Sequence, residues 1–188
     1  MDRSPLYIKI DGDTELRVLS EQDAVPLFML VEQNRAYLRE WLPWVDATRT
    51  AGDELAFIRS LQVQYAGNRG FACGIWQKGQ VTGTISYHPI DWPNRKVEIG
   101  YWLGAAFQGK GLVTRACREL VTYAFDELKL NKVEIRCATG NTRSNAIPQR
   151  LGFTREGVIR QGEWLYDHFV DLILYGMLAH EWETNLPR

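Results

Sequence analysis

The chain has 188 residues, 45% hydrophobic and 24% charged, a balance that supports a sizeable core and excludes intrinsic disorder as the main state. Its length fits a single domain over 1–188. With 22 basic against 23 acidic residues the formal charge is −1, which argues against a dedicated nucleic-acid binder without excluding a local basic pocket.

Leu6–Ile10 and Glu15–Leu19 flank Asp11-Gly12-Asp13, a turn signal that predicts an opening hairpin. Ser20 can cap a helix over Glu21–Gln33, where Ala24, Leu27, Phe28 and Val31 share a face. A second helical stretch, Arg35–Leu42, stops at Pro43, and a third covers Asp53–Ala66. The period then shortens. Gly70–Gln77, Gln80–His88 and Arg95–Leu103 are rich in Val, Ile, Thr, Trp and Tyr and predict a three-stranded antiparallel meander. Gly111–Leu128 is a strongly amphipathic helix with Leu112, Ala116, Leu120, Ala124 and Leu128 in one stripe. Lys132–Ala138 reads as a strand and Ser144–Leu151 as a short helix. Phe153–Trp164 and His168–Met177 make a closing hairpin. The mixture predicts an α+β or mixed α/β fold, and Val97 to Cys137 predicts one right-handed parallel crossover.

Cys73, Cys117 and Cys137 are too few and too scattered for a disulfide framework, and no C-x-x-C or Cys/His cluster suggests a metal site. Met1–Leu6 lacks the apolar run of a secretory leader, and no window approaches the ~18 apolar residues of a membrane span. A reducing cytoplasm is the simplest location.

The segment Val97-Glu-Ile-Gly-Tyr-Trp-Leu-Gly-Ala-Ala-Phe-Gln-Gly-Lys-Gly-Leu-Val-Thr-Arg-Ala116 carries the chemistry. A strand ends, a Gly-rich turn follows and a helix begins. Backbone N–H groups at a helix start lack internal partners and carry the positive end of the dipole, so they suit phosphates. Gly109 and Gly111 let an anion approach the main chain, and Lys110 and Arg115 add charge. A P-loop fits weakly because Lys110 precedes its glycine with no Ser or Thr after it, a Rossmann turn fits weakly because Thr114 stands where the third glycine belongs, and the alternative to both is a Gly-rich loop that merely turns the chain.

Gln108-Gly-Lys-Gly-Leu-Val113 resembles the Q/R-x-x-G-x-G/A pyrophosphate loop of the Gcn5-related N-acetyltransferase (GNAT) superfamily, with Val113 departing from the usual final Gly or Ala. Glu98-Ile-Gly-Tyr-Trp-Leu103, Asn141-Thr-Arg-Ser144, Leu151-Gly-Phe153, Asp171-Leu-Ile-Leu-Tyr175 and Asn34-Arg-Ala-Tyr-Leu-Arg-Glu-Trp-Leu-Pro-Trp44 are similar to the RimJ/RimL branch, named for modifying N-termini of ribosomal proteins. The resemblance implies a twisted, mostly antiparallel sheet with one splayed parallel pair flanked by helices. It implies acetyl-CoA in that splay: pantetheine on Tyr101, Trp102 and Leu103, pyrophosphate on Gln108, Gly109, Lys110, Gly111, Leu112 and Val113, and Asn141 near the pantetheine end.

Glu98 stands mid-strand, opposite in facing to Val97 and Ile99. The resemblance makes it the base, acting through water; the alternative is a structural ion pair with Arg95 or Arg136. Many superfamily members protonate the departing thiolate with a Tyr where this chain has Pro148, so Ser144 becomes the substitute, or else simply a helix cap. His88, before Pro89, fits a surface or turn role, and Cys73 and Cys137 fit the core. Trp41, Trp44, Trp92, Trp164 and Tyr166 fit either a peptide groove or ordinary packing, and Asp46, Asp91 and Asp167 either an amine site or solvated surface.

The leading expectation is an acetyl-CoA-dependent N-acetyltransferase acting by direct attack on a primary amine, above all a protein N-terminus. Acetylation of a small amine (a polyamine or aminoglycoside) and a non-catalytic acyl-CoA-binding module are the alternatives. No metal, nucleic-acid or membrane partner is expected, and the aromatic closing hairpin suits a homodimer.

Overall fold

A computed structural model describes residues 6–185, with side chains as far as Trp182. Most of the N-terminal stretch examined for a leader lies outside the described residues. The elements run β1 (Tyr7–Lys9), β2 (Thr14–Val18), α1 (Ala24–Arg39), α2 (Ala51–Ala66), β3 (Phe71–Gln77), β4 (Gln80–Tyr87), β5 (Lys96–Leu103), α3 (Leu112–Asp126), β6 (Lys132–Ala138), α4 (Thr142–Arg150), β7 (Thr154–Leu165), β8 (His168–Leu178) and α5 (Ala179–Asn185). The eight strands form one sheet in the order β1-β2-β3-β4-β5-β6-β8-β7.

The opening hairpin closes as its turn residues dictate. Asp11 Oδ1 accepts from the N–H groups of Asp13 at 2.9 Å and Thr14 at 2.8 Å, so the side chain stands in for a strand partner. The two helical stretches on either side of Gln33 are in fact one helix: after a 3-10 turn at Glu21–Asp23, α1 runs unbroken to Arg39. Asn34, which looks like a breaker, donates to Leu30 O at 2.8 Å inside the helix while its Oδ1 accepts from Ala105 N–H at 2.8 Å. The residue thus ties α1 to the loop after β5. The loop after α1 is pinned by Arg35, which donates to Val45 O and Thr48 O at 2.6 Å each. Thr50 and Asp53 cap α2 reciprocally.

α3 covers one sheet face. Its Leu112, Ala116, Cys117, Leu120, Val121 and Ala124 are buried against Phe71, Cys73, Ile85, Val97, Ile99 and Val133. On the other face Leu27 and Leu30 of α1 and Ile58 and Leu61 of α2 pack on Ala72, Trp76 and Val81. α5 lies beyond the expected elements; its Trp182 is buried and donates to Thr122 Oγ1 of α3 at 3.1 Å.

The feature that positions the site is the parallel pair. All other neighbours in the sheet are antiparallel. β5 and β6 register at Lys96↔Lys132, Val97↔Val133 and Glu98↔Glu134 and no further. Past Glu98, β5 stays with β4 as far as Leu103 and β6 stays with β8 as far as Ala138. The two halves of the sheet therefore part over the second half of each strand, where ladder hydrogen bonds between them are given up.

Candidate active site

A cavity of about 770 Å³ opens where β5 and β6 part. Every residue expected to touch the cofactor lines it except Lys110, and so does Ser144. Trp41, one of the candidate groove aromatics, joins them with Tyr37 of α1 and Arg143 and Arg150 of α4; Tyr37 was not foreseen because nothing in local spacing links α1 to this end of the sheet.

One wall is the start of α3. Gly111 is its N-cap with φ +69°, and Gly109 has φ +75°, left-handed conformations that glycine adopts without strain. No side chain caps this helix, so its first-turn N–H groups are left for another acceptor. Arg115 donates from Nη1 to Lys110 O at 3.0 Å, while its buried Nε has no hydrogen-bond acceptor and only the Asp11 carboxylate at 3.5 Å. Bare amides, a cation with spare donors and parted strand edges suit a diphosphate with an amide-bearing tail. Val113 is buried, so its departure from the loop pattern fills the core rather than the loop.

The opposite wall is α4. Arg143 Nη1 donates to Gln108 Oε1 at 2.7 Å, and Gln108 Nε2 donates to the Tyr37 hydroxyl, strapping the loop between two helices. The helix cap is Asn141, whose Oδ1 accepts from Ser144 N–H at 3.1 Å. Ser144 is therefore not the cap: it sits inside the first turn. Its Oγ lies 3.1 Å from Cys137 Sγ and 3.3 Å from the Tyr101 hydroxyl. Burial pushes the Tyr101 hydroxyl and the Cys137 thiol up, so both stay protonated at neutral pH.

Glu98 points to the other sheet face and does not line the cavity. Its carboxylate meets Arg136 Nε at 3.3 Å and His88 Nδ1 at 3.6 Å, with 21% of the side chain exposed. Of the two arginines considered for it, Arg136 is the partner; Arg95 donates to Lys129 O instead. His88 is exposed at a strand end, but it touches the carboxylate, which its turn position does not suggest.

Glu163 was not singled out from the sequence. It is half-buried, and burial together with the nearby Glu98 charge pushes its carboxyl up. Its surroundings Arg160-Gln-Gly-Glu163 are polar, so alternation gives no signal. A register shift between Ile159 and Glu163, with Gln161 at φ +49°, places it.

The loop aromatics divide. Trp41 lines the cavity, and Trp44 packs on Trp102 with ring centroids 5.9 Å apart. The Tyr166 hydroxyl donates to Leu42 O at 2.6 Å, with the Arg39 guanidinium 3.9 Å from its ring centre. Trp92 donates to Asn68 O, and Trp164 packs on Phe169 at the exposed hairpin. Asp46, Asp91 and Asp167 are engaged by Arg39, Asn94 and His168, respectively.

Residues 13–154 match the acetyltransferase (GNAT) domain family. The chain belongs to the GNAT acetyltransferases. It is 41% identical over 93% of its length, and 96% of the relative's, to YdaF of Bacillus subtilis strain 168, provisionally named a ribosomal N-acetyltransferase. It is 30% identical to the ribosomal-protein-serine acetyltransferase of Escherichia coli K12, over 91% of this chain and 96% of that one. Among solved structures, RimL, the ribosomal L7/L12 alpha-N-protein acetyltransferase in complex with coenzyme A, superposes with TM-score 0.90 at 26% identity, over 94% of this chain and 99% of that one. These likenesses place it in the RimJ/RimL-type branch of the GNAT fold. It is an acetyl-CoA-dependent N-acetyltransferase. Among the described residues no group of three or more His, Cys, Asp or Glu side chains could hold a metal ion, and no helix is long and apolar enough to cross a membrane.

Proposed function

We propose that this GNAT enzyme acetylates the N-terminal α-amine of a protein, a ribosomal protein above all, by direct transfer in a ternary complex. The observation that carries the reading is the division of the site by the sheet. The cavity residues and the α3 start lie where β5 and β6 part, while Glu98 and Glu163 face an amine from the other side. The likeness to the ribosomal-protein-serine acetyltransferase of E. coli supports this acceptor class.

In this mechanism Tyr101 and Leu103 offer strand-edge groups to the pantetheine of acetyl-CoA, while Trp102, whose main chain faces β4, lines the same wall. The amides from Gln108 to Val113 hold the pyrophosphate, with Lys110 adding charge from outside the cavity. Asn141 spends its Oδ1 on Ser144 N–H and keeps its amide N–H₂ for the pantetheine end. The amine nitrogen attacks the thioester carbonyl carbon; the C–N bond forms and the C–S bond breaks. The proton lost from nitrogen passes through water to the Glu98–Glu163 carboxylates and on to solvent. The sulfur leaves as a thiolate, accepts a hydrogen bond from Ser144 and becomes the free thiol on taking up a proton.

An α-amine titrates near ~8 and a primary alkylamine near ~10, so at about pH 7.5 the free-base fractions differ by about a hundredfold. A carboxylate relay without a stronger base therefore suits α-amines. The paired carboxylates equally attract a polycation, and the chain is 24% identical over 89% of its length to the spermidine N(1)-acetyltransferase of E. coli K12, which keeps a small-amine reading as the alternative. The protein is further proposed to act in the cytoplasm, as one domain, as a homodimer packed through the exposed Trp164, Phe169 and Val158 of the closing hairpin. Mass spectrometry after incubation with acetyl-CoA and a panel of peptides, spermidine and an aminoglycoside tests the acceptor. Acetyl groups on peptide N-termini are expected; acetylation confined to spermidine or the aminoglycoside contradicts the proposal.

A further inference from the structure

We propose that Tyr101 is a positioning residue for the transfer, its hydroxyl holding the Ser144 carbonyl and so the turn of α4 that carries the Ser144 side chain; this rests on the role given to Ser144 above. The reason lies in α4. Pro148 stands inside that helix, four residues after Ser144, and has no N–H to give the Ser144 carbonyl. A carbonyl left without its helical partner needs another donor, and the Tyr101 hydroxyl supplies it at 3.1 Å. The same proline that takes the usual tyrosine acid's place thus creates the acceptor that holds a tyrosine of β5.

The proton count then follows. The phenol has one hydrogen, and it goes to Ser144 O, so Tyr101 meets Ser144 Oγ only as an acceptor, at 3.3 Å, and the one hydroxyl hydrogen of Ser144 must turn away from it to reach the departing sulfur. The other group near Ser144 Oγ is Cys137 Sγ, at 3.1 Å. Tyr101 on β5 and Cys137 on β6 lie beyond the last β5–β6 register pair, so these side chains meet across the gap that ladder bonds do not close. Ser144 Oγ is thereby held at the parted strands by two neutral neighbours, neither adding negative charge beside a developing thiolate. Losing the phenol oxygen leaves the Ser144 carbonyl without its donor and frees the turn of α4 that carries the hydroxyl.

Tyr101→Phe keeps the ring and deletes only the oxygen. Turnover of acetyl-CoA with the best acceptor of the panel is measured for Tyr101→Phe, Ser144→Ala and the double variant, with an acetyl-CoA thermal shift confirming that each is folded and binds. Each single change is expected to lower kcat about ten- to hundredfold with the KM for acetyl-CoA nearly unchanged. The double variant is expected to be no slower than the slower single, because one residue acts through the other. Losses that multiply in the double variant, a Tyr101→Phe enzyme with full kcat, or a KM that rises in step with the loss overturn the proposal. If Ser144→Ala keeps full turnover, the role of Ser144 falls and the proposal with it. If only Tyr101→Phe is silent, Ser144 stands and Tyr101 does not.

Discussion

Glu54 has a cost that no partner offsets. It is 4% exposed on the α2 face turned toward the core, and among the described residues no hydrogen bond or ion pair reaches its carboxylate. Burial pushes its carboxyl up to about 7 from 4.5. The folded state therefore holds this proton more tightly than the unfolded chain. Below about pH 4.5 both states are protonated and nothing is lost; as pH rises through the unfolded value toward 7 the buried charge penalises the fold, in full above it. At about 1.4 kcal/mol per pKa unit the penalty reaches at most about 3.5 kcal/mol. Glu54→Gln is expected to melt with the wild type at pH 4 and well above it at pH 8; parallel melting curves at both values contradict this. At Glu98, removing the carboxylate while leaving the cavity intact should separate chemistry from binding. Glu98→Gln is expected to lower kcat about a hundredfold with acetyl-CoA affinity unchanged; normal rates across pH would remove it as the proton acceptor. Glu98 was legible because a carboxylate between Val97 and Ile99 breaks an apolar strand. Glu163 was not, because a bulge rather than a pattern brings it to Glu98. The cap of α4 was misplaced by three residues because Asn141 and Ser144 are both good caps, and only backbone geometry chooses between them.

At the scale of elements, the start of α3 was fully readable: an amphipathic stripe, two glycines and no capping side chain all bear on the same turn. α1 was harder, since Asn34 and Arg35 look like a break until their long-range bonds to Ala105, Val45 and Thr48 are seen. Such contacts span loops whose path local sequence does not encode. Gly111 carries the sharpest prediction at this scale. A side chain there must hold φ +69°, which costs about 1–2 kcal/mol, and a carboxylate would compete with phosphate for the helix amides. Gly111→Glu is expected to remain folded and to lose the thermal shift that acetyl-CoA gives the wild type. A full shift in the variant would place the diphosphate elsewhere.

Across the whole molecule, strands that follow one another in sequence are neighbours in the sheet except at its end, where β6 takes β8 and leaves β7 at the edge. The meander, the two hairpins and the parallel β5–β6 crossover were accessible from turn signals and element order. How soon the parallel pair parts was not, because three register pairs or eight leave the same apolar pattern in Val97–Leu103 and Lys132–Ala138. The cavity exists only because β4 and β8 hold their partners while β5 and β6 let go of each other, so the claim that acetyl-CoA lies there is a claim about backbone amides. Amide hydrogen exchange with and without acetyl-CoA addresses it directly. Slower exchange is expected at Tyr101, Leu103 and 109–113, with the amides of β1 and β2 unchanged. Binding that leaves Tyr101, Leu103 and 109–113 exchanging at their free rates would contradict the account.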